Sequence, residues 1–183
     1  MITFTLLSIA PGVKAAPMAP LADPSILIDG NTELDAYCGN ETSGNATHPH
    51  IIENMEIVSD GPQNGIKITN TDRHLILRDV NVTNFSQSSN SRGILIINCT
   101  NIIIDSCLFV NNSYGIVFEN TNYTRFIDTS GSYNFENGIT FTNCHHNYLY
   151  NTAAIGNGLE ENDGNGMNMY YSNNNTIEYC LFI

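Results

Sequence analysis

From residue 51 onward, apolar and polar positions alternate in short runs separated by Asn, Ser, Thr and Gly. Ile94 and Ile96 point one way and Leu95 and Ile97 the other, and Ile102 and Ile104 resume the alternation after a polar break. A period of two marks strands, and the residues between the runs suit tight turns and left-handed backbone. No segment after Ile51 carries a ten-residue amphipathic helix pattern.

The runs recur. Gly-Ile-x-Ile, or a close variant, begins at Gly65, Gly93, Gly115, Gly138 and Gly166, with spacings of 28, 22, 23 and 28 residues. Two spacings are the bare repeat, and two carry an insertion of five or six residues. A fixed period of this size marks a stacked protein in which no unit buries its own core. The predicted fold is all-β: a right-handed parallel β-helix, or solenoid, of about five to six coils, each 22–23 residues long. A leucine-rich repeat would need a leucine ladder, and the columns here are Ile, Phe and Met.

Equivalent positions should stack about 4.8 Å apart. One residue after each glycine come Ile66, Ile94, Ile116, Ile139 and Met167; three after come Ile68, Ile96, Phe118, Phe141 and Met169. Eleven after come Ile104, Phe126, Leu149 and Ile177, with Leu77 joining after a one-residue slip. These columns are the expected core. Five after come Asn70, Asn98, Asn120 and Asn143, read as an inward asparagine ladder that breaks at Tyr171.

The Gly-Ile-x-Ile-x-Asn repeats, the opening Ile26-Leu27-Ile28-Asp29-Gly30-Asn31 and the run from Pro49 to Ile57 resemble the NosD-like or CASH group (carbohydrate-binding proteins and sugar hydrolases) of the pectate-lyase-like superfamily. The resemblance covers roughly residues 26–183. It implies the right-handed β-helix and says little about activity, because this architecture hosts many.

The reading divides the chain into residues 1–25, a signal peptide or disordered N-terminal segment, and a β-helix domain over 26–183. Residues 26–50 form its N-terminal cap, with a short helix started by Thr32, and 51–183 its coils. Residues 2–10 are apolar and Val13-Lys14-Ala15 resembles a signal-peptidase site, so the expected location is secreted or cell surface. No stretch is long enough to span a bilayer. The chain ends within a coil without a cap, so a fragment is expected, with the remaining coils of a longer chain beyond it.

Net charge is −12 with six Lys plus Arg, which argues against nucleic acid as a partner. There are 27 asparagines, and eight head Asn-x-Ser/Thr sequons, where chance gives about four. The excess favours a glycosylated exterior at Asn40, Asn45, Asn81, Asn84, Asn111, Asn122 and Asn174. Asn98 is set aside because its ladder position should point inward. Of five cysteines, Cys99 and Cys144 share a column two coils apart, and Cys107 and Cys180 share another across two intervening Thr. Those separations exceed the reach of a disulfide, so these thiols are read as small buried fillers. Cys38 has no evident partner.

The outward face of the second strand gathers Asp105, Arg125, Tyr148, Tyr150 and Glu178, with His145 and His146 on the turn leading in. Aromatic rings suit pyranose faces and carboxylates accept from sugar hydroxyls, so these five are the carbohydrate-binding candidates. Both insertions precede a glycine, so loops 85–92 and 157–165 should rise on one edge and wall a groove. The second holds Glu160, Glu161 and Asp163, weak ligands for calcium and the chain's one suggestion of a cofactor.

No catalytic residue is assigned. Related lyases need clustered calcium-binding carboxylates and a base, and related glycosidases a tight aspartate pair; both are too sparse here. Copper handling, attached to some NosD proteins, would need grouped Met, His or Cys. His48 with His50 and His145 with His146 are the available pairs, and Met167 and Met169 fall in core columns. The expected function is therefore a noncatalytic module that binds polysaccharide or acts as a surface scaffold. The alternatives are a lyase or hydrolase with its catalytic coils beyond residue 183, and a NosD-like copper-delivery accessory.

Overall fold

The structure, a computed structural model, describes residues 22–39, 42–59, 61, 63–86, 90–158 and 164–183. The alternating runs resolve into parallel sheets stacked rung on rung. The first sheet orders β1 (Ile26–Asp29), β3 (Ile66–Thr69), β5 (Arg92–Ile97), β8 (Tyr114–Glu119), β10 (Ile139–Thr142) and β13 (Met167–Tyr170). The second orders β2 (His50–Val58), β4 (Leu75–Thr83), β6 (Ile102–Asp105), β9 (Arg125–Ile127), β11 (Tyr148–Tyr150) and β14 (Thr176–Glu178). A third, shorter wall begins where β7 (Leu108–Val110) pairs with the end of β4, and continues through Ser130 to β12 (Ala153–Ala154) and β15 (Leu181–Phe182). The protein is a parallel β-helix.

The expected core columns hold in register. Ile26, Ile66, Ile94, Ile116, Ile139 and Met167 pair in sequence along the first sheet, as do Ile28, Ile68, Ile96, Phe118, Phe141 and Met169. Along the second run Ile52, Leu77, Ile104, Phe126, Leu149 and Ile177, and the slip at Leu77 is real. Phe118, Phe126 and Phe141 meet across the interior with ring centroids 5.1–5.7 Å apart, so aromatic area fills the centre. In the last described rung Met169 is 37% and Ile177 43% exposed.

Two expectations change. Residues 26–29, assigned to the cap, are the lowest rung of the first sheet through their pairing with β3. The helix α1 (Asn31–Tyr37) follows directly, with Gly30 at its N-cap instead of Thr32. The column five after the glycine is also not inward. Asn70, Asn98, Asn120 and Asn143 are exposed and left-handed, with φ near +50°. Short polar side chains tolerate that conformation best, so these asparagines turn the chain at an outer corner. Their amides still bond from coil to coil, Asn98 Nδ2 donating to Asn70 and Asn143 Nδ2 to Asn120. Asn98 is therefore an outward sequon after all.

The inward ladder is a different one. Asn112, Asn134 and Asn157 lie nineteen residues after successive glycines. Asn134 Oδ1 accepts from Asn112 N at 2.9 Å, and Asn157 Oδ1 accepts from Asn134 N at 3.0 Å. Asn112 and Asn134 donate their Nδ2 to the carbonyls of Val82 and Phe109. A second ladder joins Asn147 and Asn175, with Asn147 also accepting from Thr124 N. These amides satisfy backbone groups at bends where no strand partner exists. They also explain the repeating glycine. A Cβ on Gly115 would sit 2.5 Å from Gly138 O and 2.6 Å from Asn134 Nδ2, so only hydrogen fits.

The cap is pinned by a polar cluster. Asp35 of α1 accepts from Arg73 Nε and Nη2 at 3.0 and 2.8 Å. Its Oδ1 also bonds His50 Nε2 at 2.7 Å, while His50 Nδ1 meets Thr42 Oγ1 at 2.6 Å. His50 is fully buried, and both ring nitrogens are used.

Candidate functional site

The second sheet's outer face collects the five candidate side chains because strand alternation turns every second residue outward. Arg125 and Tyr148 share one column, and Asp105, Ile127, Tyr150 and Glu178 the next. The Arg125 guanidinium lies over the Tyr148 ring, 5.6 Å from its centroid. Tyr148 OH donates to Glu178 Oε2 at 2.8 Å, which holds the phenol's pKa above its ordinary value. The Tyr148 and Tyr150 rings stack 6.3 Å apart with 22° between their planes. Arg125, Tyr148, Tyr150 and Glu178 thus form one connected platform.

Asp105 stands outside it. Glu178 is three rungs away, about 14 Å. Asp105 instead faces Arg78 of the rung below at 3.5 Å, and Arg78 also reaches Glu53 at 3.5 Å. Arg78 went unnoticed in the sequence because the one-residue slip in its coil hides its column. The spacing of Asp105 and Glu178 exceeds the roughly 5–9.5 Å of a glycosidase carboxylate pair.

Three further aromatic groups border the platform. Tyr123 and His146 stack on the turns leading into it, 5.3 Å apart and 6° from parallel. Tyr179 meets Tyr150 edge-on at 5.4 Å on the way out. The clue to the first pair was their shared position, eight after the glycine.

The other candidates fare differently. Glu160, Glu161, Asp163 and Asn40 lie outside the described residues, as do parts of both loops expected to wall a groove. Asn45, Asn84, Asn111 and Asn174 are exposed, whereas Asn81 and Asn122 are half-buried. Asn81 Nδ2 donates to Glu56, and Asn122 Oδ1 accepts from His145 N. The sequon excess also has a structural cause. Asn84, Asn98, Asn111 and Asn174 occupy left-handed corners, each followed by a residue turned toward the interior and then by Ser or Thr.

The geometry defines a parallel β-helix protein with a polar-aromatic platform on one sheet. A family model described as periplasmic copper-binding protein (NosD) matches residues 38–183, most of the chain, and the chain belongs to the NosD family. No curated protein and no solved structure matches it. No helix among the described residues is long and apolar enough to cross a membrane.

Among the described residues no group of three His, Cys, Asp or Glu converges to hold a metal. Cys99, Cys107 and Cys144 are buried and donate to backbone carbonyls. Burial pushes the Cys99 and Cys107 thiols up to about 11, away from the thiolate that ligates metal. His50 is spent on Asp35 and Thr42, and His145 Nδ1 accepts from Asn173 N.

Proposed function

We propose that this protein is an exported, noncatalytic β-helix module of the NosD type that binds polysaccharide. The platform of Arg125, Tyr148, Tyr150 and Glu178 carries the reading. Ring faces offer apolar area to sugar rings, and Glu178 and Arg125 offer acceptors and donors to hydroxyls. The separation of Asp105 from Glu178, with Asp105 held by Arg78, supports binding without hydrolysis. The family's periplasmic description supports export.

The test is a polysaccharide panel on the full-length protein, recording binding and chain cleavage together, with calcium and with chelator. Binding without cleavage is expected, weakened about tenfold or more by Tyr148→Ala or Tyr150→Ala, a loss of about 1.4 kcal/mol. Cleavage would overturn the noncatalytic assignment. The family description carries one second reading, copper delivery. Titration with Cu(I) and Cu(II) separates it, since a stoichiometric complex would favour delivery over glycan binding.

A further inference from the structure

We infer that the platform takes a neutral, β-linked glycan as a chain of about three sugars lying along β11, across the solenoid axis. The inference rests on the polysaccharide reading above and specifies its ligand class, extent and direction.

Backbone strain is the first observation. Left-handed corners in this solenoid are filled mainly by Asn, with Asp at Asp79 and Asp128. A bulky side chain there costs about 1–2 kcal/mol and gains no local hydrogen bond in return. Such strain clusters at functional sites. Aromatic side chains nevertheless occupy Tyr123, Tyr133, His146, Tyr171 and Tyr179, all with φ between +49° and +58°. Three of these five border this one face, Tyr123 and His146 at its entry and Tyr179 at its exit. They are turned to solvent, Tyr123 at 59% and Tyr179 at 81% exposure, so burial does not compensate the strain.

Direction follows from spacing. Tyr148 and Tyr150 stand two residues apart on the strand with ring centroids 6.3 Å apart, and His146 precedes them on the left-handed turn that leads in. They make three aromatic stations in a row on one rung. Tyr123 widens the first by its stack on His146, and Tyr179 closes the last against Tyr150. A chain joined through equatorial bonds is a flat ribbon that can present one ring to each station. An axially linked chain coils away after the first.

Charge selects the class. The protein carries −12 overall. On this face Arg78 is matched by Glu53 and Asp105, and Arg125 lies against Tyr148. A polyanion would meet repulsion with no cationic cluster to offset it. A neutral glycan would meet the rings, the Glu178 carboxylate and the Arg125 donors.

The experiment measures affinity of the full-length protein for β-1,4-linked glucose and N-acetylglucosamine oligomers of one to six units. An α-1,4-linked glucan and a β-linked polyuronate serve as controls. Affinity should rise to three units and then level off, with both controls at least tenfold weaker. Tyr123→Ala and Tyr179→Ala should each lower trimer affinity about tenfold. Tyr133→Ala and Tyr171→Ala, at other corners, should leave it unchanged, and all four variants should keep the wild-type circular dichroism. Affinity still climbing at six units would overturn the transverse direction. Tyr148-dependent preference for the polyuronate or the α-glucan would overturn the ligand class. In both cases the polysaccharide reading survives, whereas absence of binding to every glycan sinks it together with this inference.

Discussion

Asparagine does two jobs in this chain, and burial separates them. At outer corners Asn70, Asn98, Asn120 and Asn143 are chosen for a left-handed backbone. At inner bends Asn112 and Asn134 are chosen for an amide that both donates and accepts, and Asn157 accepts at the end of the ladder. The energetic consequences differ. Asn134→Ala strands the buried Asn112 N–H and Phe109 C=O, each costing about 1–3 kcal/mol, so a loss of roughly 2–6 kcal/mol is expected. Asn98→Ala loses an exposed bond and some left-handed preference, about 1 kcal/mol. Urea denaturation of both variants checks the ranking, and equal losses would contradict the two-ladder account.

Elements here are short strands that no isolated peptide would hold, and each is defined by its neighbours above and below. The helix α1 is the exception in kind, since seven residues are too few to persist alone. It is held by its packing, with Leu34 fully buried, and by Asp35. Arg73 and then His50 hold the Asp35 carboxyl below its ordinary value by hydrogen bonding. A pKa lowered on folding adds stability above the unfolded value, near 4, and loses it as pH falls through the folded value. As pH falls below about 4, stability of the wild type should therefore drop more steeply than that of Asp35→Asn. Denaturation midpoints across that window measure it. Parallel curves for the two proteins would show that the cluster does not couple the cap to the coils.

The whole molecule is a one-dimensional stack, so stability should vary along its axis. Rungs from Ile66 to Leu149 are covered on both sides, and their core positions are fully buried. The last rung exposes Met169 and Ile177. In the 183-residue chain, amide hydrogen exchange should be slowest at Ile94–Ile104 and Ile116–Phe126 and fastest over 167–183. Uniform protection would mean that the coils open as one unit.

The repeat, the core columns and the face of Asp105, Arg125, Tyr148, Tyr150 and Glu178 were legible because strand alternation and a 22–23-residue period are properties of sequence spacing. The same spacing carried the inner ladder, with Asn112, Asn134 and Asn157 following the glycines, yet it could not tell an inward asparagine from an outward one. That depends on whether the residue sits at a left-handed corner or beside a bend, and the corners are set by how successive coils close. Hydrogen-bonded neighbours were hidden for a related reason. Arg78 with Asp105, Tyr148 with Glu178, and Asp35 with His50 and Arg73 are 15 to 38 residues apart, and only stacking brings them together. The sequence by itself determined the period, the parallel β-helix and which strand residues face outward. The tertiary structure decided which outward groups touch, because contact across rungs depends on side-chain direction and on the slips and insertions that shift one coil against the next.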